Sequence, residues 1–169
     1  MRKDRKKFWI LLKPQPKETP MNLFDAVRLV LKQKGQNVWH VSPEACVYDA
    51  IEVMADKHVG ALMVVSEGEL VGVVSERDYA RKVILQGKLS KETQVKEIMT
   101  SPAIFVTPEQ TVEDSMRIMT DNRIRHLPVV ENGIVLGVVS IGDLVKWMIS
   151  AQQHTISQLH SYITSQYPG

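Results

Sequence analysis

Two short runs carry residue types able to hold a small anionic ligand. Gly72-x-x-Ser75-x-x-Asp78 and Gly137-x-x-Ser140-x-x-Asp143 share one spacing. In each, a strand-like apolar run ends at the serine and a helix-like run begins by the aspartate. A helix N-terminus offers free N–H groups and a partial positive charge, which suits a phosphate. A carboxylate one turn on can accept two hydrogen bonds from the vicinal hydroxyls of a ribose, by analogy with the acidic residue of dinucleotide folds. The same spacing also describes a plain helix cap. Serine is a common N-cap, and aspartate in a first turn complements the helix dipole. Spacing alone favours the cap.

Basic groups tip the balance towards a ligand. Arg77 and Arg81 lie beside the first run. Arg123, Arg125 and His126 fall in Asp121-Asn-Arg-Ile-Arg-His-Leu-Pro-Val129, where a helix-like segment turns into a buried strand. Arginine pairs bidentately with phosphate oxygens and keeps its charge. The plain alternative is a solvated loop paired to Asp121 or Glu131, and His126 alone reads as a structural histidine. His40, His58, His154 and His160 show no metal-like spacing. No Gly-x-Ser-x-Gly, Walker-type glycine loop or His-Glu-x-x-His occurs in the chain. Ser75 and Ser140 have no evident general base, so the expectation is a sensor and not an enzyme.

The elements that must position these residues occur twice. A shift of 65 residues superposes Val41–Lys82 on Val106–Trp147 without a gap. Of these positions 16 are identical, among them Val41, Pro43, Leu62, Gly72, Ser75 and Asp78, far beyond chance. Such a unit is expected to need its neighbour to bury its apolar face. Val47, Ala50, Ile51 and Met54 share one helical face, as do Val112, Ser115, Met116 and Met119. Thr111 and Asp114 form a variant capping box, whereas Cys46 in the first copy predicts a weaker cap. Two continuous apolar runs follow each helix, with Glu67-Gly68 and Asn132-Gly133 as turns. Asn-Gly between β-branched runs predicts a hairpin, and continuous apolar character predicts strands covered on both faces. A further helix follows each hairpin, over 78–85 and 143–151, so each unit reads β-α-β-β-α.

The remaining segments frame the units. The spacing predicts a helix from Asn22, as N-cap, to Lys32, and Val95–Met99 reads as a short helical approach to the second unit. Ile156, Leu159, Tyr162 and Ile163 mark a separate last amphipathic helix. The division is a basic tail at 1–20, an N-terminal helix at 21–35, a first unit at 36–86, a linker at 87–94, a second unit at 95–150, and a C-terminal helix and tail at 151–169. Met21 is a second candidate start. The net charge is +2 and aromatics make up 6%, which argues against nucleic acid. No segment approaches the ~20 apolar residues of a membrane span. The single cysteine, Cys46, excludes an intrachain disulfide and fits a reducing compartment, so the expectation is a cytoplasmic protein.

These motifs together resemble a tandem pair of CBS (cystathionine-β-synthase) domains over about residues 21–163. The carriers are Val41-Ser-Pro-Glu44, Gly60-Ala-Leu-Met-Val-Val65, Gly72-Val-Val-Ser-Glu-Arg-Asp78, Arg123-Ile-Arg-His-Leu-Pro-Val129 and Gly137-Val-Val-Ser-Ile-Gly-Asp143. The chain looks most like stand-alone bacterial two-CBS proteins and their plant organellar relatives. The resemblance implies an α/β (α+β) fold, with two βαββα units packed about a pseudo-twofold axis into a disc-like module. It implies two clefts for adenosine ligands: AMP, ADP, ATP, NAD(H) or S-adenosylmethionine. Asp78 and Asp143 would hold ribose hydroxyls, and Ser75 and Ser140 ribose or phosphate. Val41, Ser42 and Ile104 would frame the adenine, with Ala61, Leu62, Leu127 and Pro128 on its other side. Arg77, Arg125 and His126 would meet phosphates. The copies differ at Glu76-Arg77 against Ile141-Gly142 and at Gly60-Ala61 against Arg125-His126, so unequal ligands are expected, AMP in one cleft and a dinucleotide in the other. The resemblance also implies a homodimer and a separate effector protein as partner. The rival readings are an assembly module with empty sites and a nucleotide-processing enzyme.

Overall fold

The computed structural model describes residues 22–166; the tail read at 1–20, Met21 and residues 167–169 lie outside them. The chain runs α1 (Val27–Lys34), β1 (His40–Val41), α2 (Val47–Lys57), β2 (Ala61–Ser66), β3 (Glu69–Ser75), α3 (Glu76–Lys82), α4 (Val112–Asp121), β4 (His126–Glu131), β5 (Ile134–Ser140) and α5 (Ile141–Gln166). Short 3-10 turns occupy Ile84–Gln86 and Val95–Glu97.

Each unit is built on one hairpin. β2 pairs antiparallel with β3 and β4 with β5, and the register shifts at the equivalent places, Val64/Val65 and Val129/Val130. Glu67-Gly68 and Asn132-Gly133 turn the two hairpins, all four residues at positive φ. Leu62 and Val64 enter one apolar cluster and Leu127 and Val129 the other. Their alternating neighbours Ala61, Met63, Pro128 and Val130 are buried on the opposite face, so these strands are covered on both sides as the unbroken apolar runs predict.

The first strand survives only in the first unit. There β1 lies parallel to β2, and the Met63 N–H donates to the Trp39 carbonyl at 3.0 Å. In the second unit the equivalent residues are Pro128 and Ile104, and proline has no N–H to donate. Pairing shrinks to one bridge, Val106 with Val129.

The lead-in segments cross over. Val27, Val30 and Leu31 of α1 are buried with Val112, Met119, Leu127, Leu144 and Trp147 of the second unit. Val95 and Ile98 are buried with Val47, Met54, Leu62 and Val74 of the first. Residues 95–99 therefore precede the second unit in sequence but pack on the first. Bridges between Ala26 and Thr111 and between Cys46 and Gln94 tie the crossing segments down. Exchanging the units approximately reproduces these contacts, as a pseudo-twofold requires.

Three boundaries differ from the sequence reading. α1 begins at Val27, because Asn22–Asp25 forms a turn in which the Asn22 side chain accepts from the Phe24 N–H. The Trp147 indole N–H holds that turn through the Asn22 carbonyl and the Asp25 carboxylate. α3 ends at Lys82, before a 3-10 turn. The two helices expected after Asp143 are one, α5, because no glycine or proline interrupts residues 143–166. Cys46 makes no side-chain cap bond, whereas Thr111 Oγ1 accepts from the Asp114 N–H at 3.0 Å. Asp114 bonds back to the Thr111 hydroxyl and not to its backbone, so only half of the box forms.

Candidate functional site

Both Ser/Asp pairs stand where a strand becomes a helix, and both form caps. Ser75 Oγ accepts from the Asp78 N–H at 3.3 Å, while the Ser75 N–H and hydroxyl donate to Asp78 Oδ2 at 3.1 and 2.6 Å. The Ser140/Asp143 pair repeats this at 3.2, 2.7 and 2.7 Å. The plain cap reading is thus physically true, and each capping aspartate also lines a cleft. The cap also engages the Ser75, Asp78, Ser140 and Asp143 N–H groups, part of the set that a phosphate at the helix start would use.

Two clefts lie at these junctions. One, of about 270 Å³, holds Ser75 and Asp78 from the first unit and Ile104, Arg125 and His126 from the second. The other, of about 400 Å³, holds Ser140 and Asp143 from the second unit and Trp39, Gly60 and Ala61 from the first. They are one site repeated. Ten of the 13 positions lining the first cleft have their 65-residue counterpart lining the second, from Val73/Val138 to His126/Ala61. Duplicated caps need no cleft, so the shared lining goes beyond what capping explains.

The carboxylates are paired differently. Asp78 Oδ1 meets Lys82 Nζ at 2.9 Å, and Lys82 also donates to the Ile98 carbonyl. Asp143 Oδ2 accepts from Lys34 Nζ at 2.5 Å, and Lys34 donates in addition to the Val138 carbonyl at 3.1 Å. Burial alone would raise the pKa of Asp143. The bonds from Lys34 and Ser140 outweigh it and hold the carboxyl below the usual range.

His126 is half-buried and lines both clefts. Burial, then Arg125 and Lys34, push its pKa below the ordinary histidine value, against the opposing pull of Asp143. Room for the ring comes from Gly60, where a Cβ would lie 3.2 Å from His126 Cε1 and 3.3 Å from Glu76 Oε2.

Of the residues expected at the sites, Ser75, Arg77, Asp78, Ile104, Arg125 and His126 meet in the first cleft. Ala61, Ser140 and Asp143 meet in the second, with His126 again. Val41 and Ser42 line neither; Asn37 and Trp39, a few residues earlier, take that wall. The side chains of Leu62 and Leu127 point into the two cores, and those of strand neighbours alternate. Pro128 is buried and lines neither cleft. Sequence reasoning missed Lys34, Lys57, Lys82 and Trp39. Lys82 had a signal, standing one helical turn after Asp78.

A family model for the CBS domain matches residues 35–84 and 95–150. The chain belongs to the CBS-domain family. It is 43% identical over 148 residues to the mitochondrial CBS domain-containing protein CBSX3 of Arabidopsis thaliana, spanning 82% of this chain and 71% of that one. A CBS-domain structure from Burkholderia ambifaria is 46% identical with a TM-score of 0.72, covering 75% of this chain and 95% of the other. A CBS domain pair solved with 5′-methylthioadenosine and S-adenosyl-L-methionine shares the fold at a TM-score of 0.66 and 24% identity, over 74% of this chain and 96% of that one. Among the described residues no helix is long and apolar enough to cross a membrane.

Proposed function

We propose that this CBS pair is a sensor of adenosine ligands, not an enzyme, in which each cleft binds one nucleoside. The carrying observation is the repeated lining, with a Ser/Asp cap lining each cleft from one unit and the other unit closing it. The aspartate takes the ribose hydroxyls while it stays paired with its lysine. The serine supports it, and AMP, ADP, ATP, NAD(H) and S-adenosylmethionine are the ligand set. Ile104 lines the first cleft, and Pro128 has no N–H to offer its carbonyl, which makes that carbonyl our candidate acceptor for the adenine amino group.

Each cleft is closed by both units, so an occupant that fits one relative arrangement better shifts the population towards it. A separate effector protein reads the altered surface. Self-association follows from α5, whose Ile149, Ile156, Leu159 and Ile163 are 47–60% exposed along one helix. The reading is a cytoplasmic homodimer, which light scattering of the intact chain tests.

Isothermal titration with AMP, ATP, NADH and S-adenosylmethionine tests the reading. Saturable binding that is lost on Asp78→Ala or Asp143→Ala is expected. Absence of binding for all four leaves the assembly-module reading in its place.

A further inference from the structure

The two clefts share their lining but not their charge. Besides Lys82, which is committed to Asp78, the first cleft holds Arg77, Arg81, Arg123 and Arg125. Arg77 donates only to a neutral acceptor, the Arg123 carbonyl at 3.1 Å. Among the described residues none of these four arginines forms an ion pair. The second cleft holds two lysines, both committed. Lys34 is bound to Asp143, and Lys57 to Asp56 at 2.9 Å and over the Trp39 ring at 5.0 Å.

The contrast falls on equivalent positions. Arg77 and Arg125 of the first cleft become Gly142 and Gly60 around the second. Arg123 becomes His58, and both take a left-handed φ, 55° and 53°. Glycine or asparagine would hold that backbone at lower cost. A side chain is therefore kept at a strained position on each cleft wall, arginine in one and histidine in the other. Four guanidinium groups without an ion-pair partner around one cavity favour a multiply charged anion there.

We propose that the clefts are sorted by charge. The Asp78 cleft is a polyphosphate site, for an adenosine carrying two or three phosphates, and the Asp143 cleft takes an adenosine ligand with at most one phosphate group. This rests on the sensor reading for the nucleoside and adds to it the charge class of each occupant.

The test titrates the full chain with ATP, with adenosine and with inorganic tripolyphosphate. One tight ATP site per chain is expected, lost on Asp78→Ala and retained on Asp143→Ala. The double variant Arg81→Gln/Arg125→Gln should weaken ATP and tripolyphosphate about tenfold or more and leave adenosine unchanged. Gly142→Arg has room, since a Cβ there meets nothing closer than Ser140 Oγ at 3.7 Å; it should give the Asp143 cleft a second ATP site. The proposal is overturned if ATP binding follows Asp143 instead of Asp78, or if the arginine variants weaken adenosine as much as ATP. Failure of the sensor reading looks different. Adenosine would then not bind, while tripolyphosphate would still bind in an arginine-dependent way.

Discussion

Lys34 Nζ lies 2.5 Å from Asp143 Oδ2, across 109 residues of sequence. The lysine ends α1 and the aspartate stands in the first turn of α5, so the crossed-over lead-in helix reaches the carboxylate of the second cleft. Lys34→Met should let the Asp143 pKa rise towards 3.8, the value from which it is lowered. A depressed carboxyl contributes stability that is present above that ordinary value and lost as pH falls through the folded value. The variant should lose less stability than wild type on acidification through this window. NMR titration of Asp143 checks it, and an unchanged midpoint would show that Lys34 is not what holds the charge.

His126 gives an acid effect at higher pH. Its folded pKa lies below 6.5, so the unfolded chain binds a proton first as pH falls. Stability should be full above 6.5 and decline as pH drops from there towards the folded value. His126→Gln should flatten that part of the profile in urea unfolding. Binding of an anionic ligand beside the ring should make His126 take up a proton, visible as a heat that depends on the buffer's ionisation enthalpy.

Much of this was legible in the sequence because duplication copies registers. Leu62/Leu127 and Val64/Val129 repeat the core face, and Ser75/Asp78 repeats at Ser140/Asp143, so both hairpins and both junctions could be placed. What could not be read comes from contacts without local periodicity. Nothing around Lys34 announces that α1 packs on the far unit. Trp39 and Val41 belong to so short a β-prone run that no alternation fixes which of them meets the cleft. A division of α5 at Ala151 has no helix-breaking residue to support it, so the sequence is equally compatible with the single helix observed.

Equivalent glycines should not tolerate alanine equally. A Cβ on Gly72 would lie 2.8 Å from the Thr100 backbone carbonyl, which is fixed by its own bridge to Val73. On Gly137 it would meet a Leu31 methyl at 2.8 Å, the end of a flexible side chain. Gly72→Ala should cost about 1–3 kcal/mol and Gly137→Ala clearly less. Chemical denaturation ranks them, and the reverse order would contradict the packing described.

Leu31 is 2% exposed in the second unit's core although it lies ahead of the first in sequence. Leu31→Ala should cost about 2–5 kcal/mol. Hydrogen exchange should quicken in β4 and β5 before β2 and β3. Faster exchange in the first hairpin would place α1 with the wrong unit.

The most direct test is a thermal-shift series with AMP, ADP, ATP, NAD, NADH and S-adenosylmethionine on wild type, Asp78→Ala and Asp143→Ala. Each variant also loses the aspartate half of a capping box, the acceptor of the serine N–H, so the ligand-induced shift is compared and not the starting Tm. A ligand at 100 times its Kd adds ~2.7 kcal/mol. At ~2–4 °C per kcal/mol for a chain of this size, that is a rise of roughly 5–11 °C. The expected result is such a rise for at least one adenosine ligand, abolished by the aspartate change in its own cleft. No shift with any ligand, or a shift that survives both aspartate changes, would contradict adenosine sensing by this CBS pair.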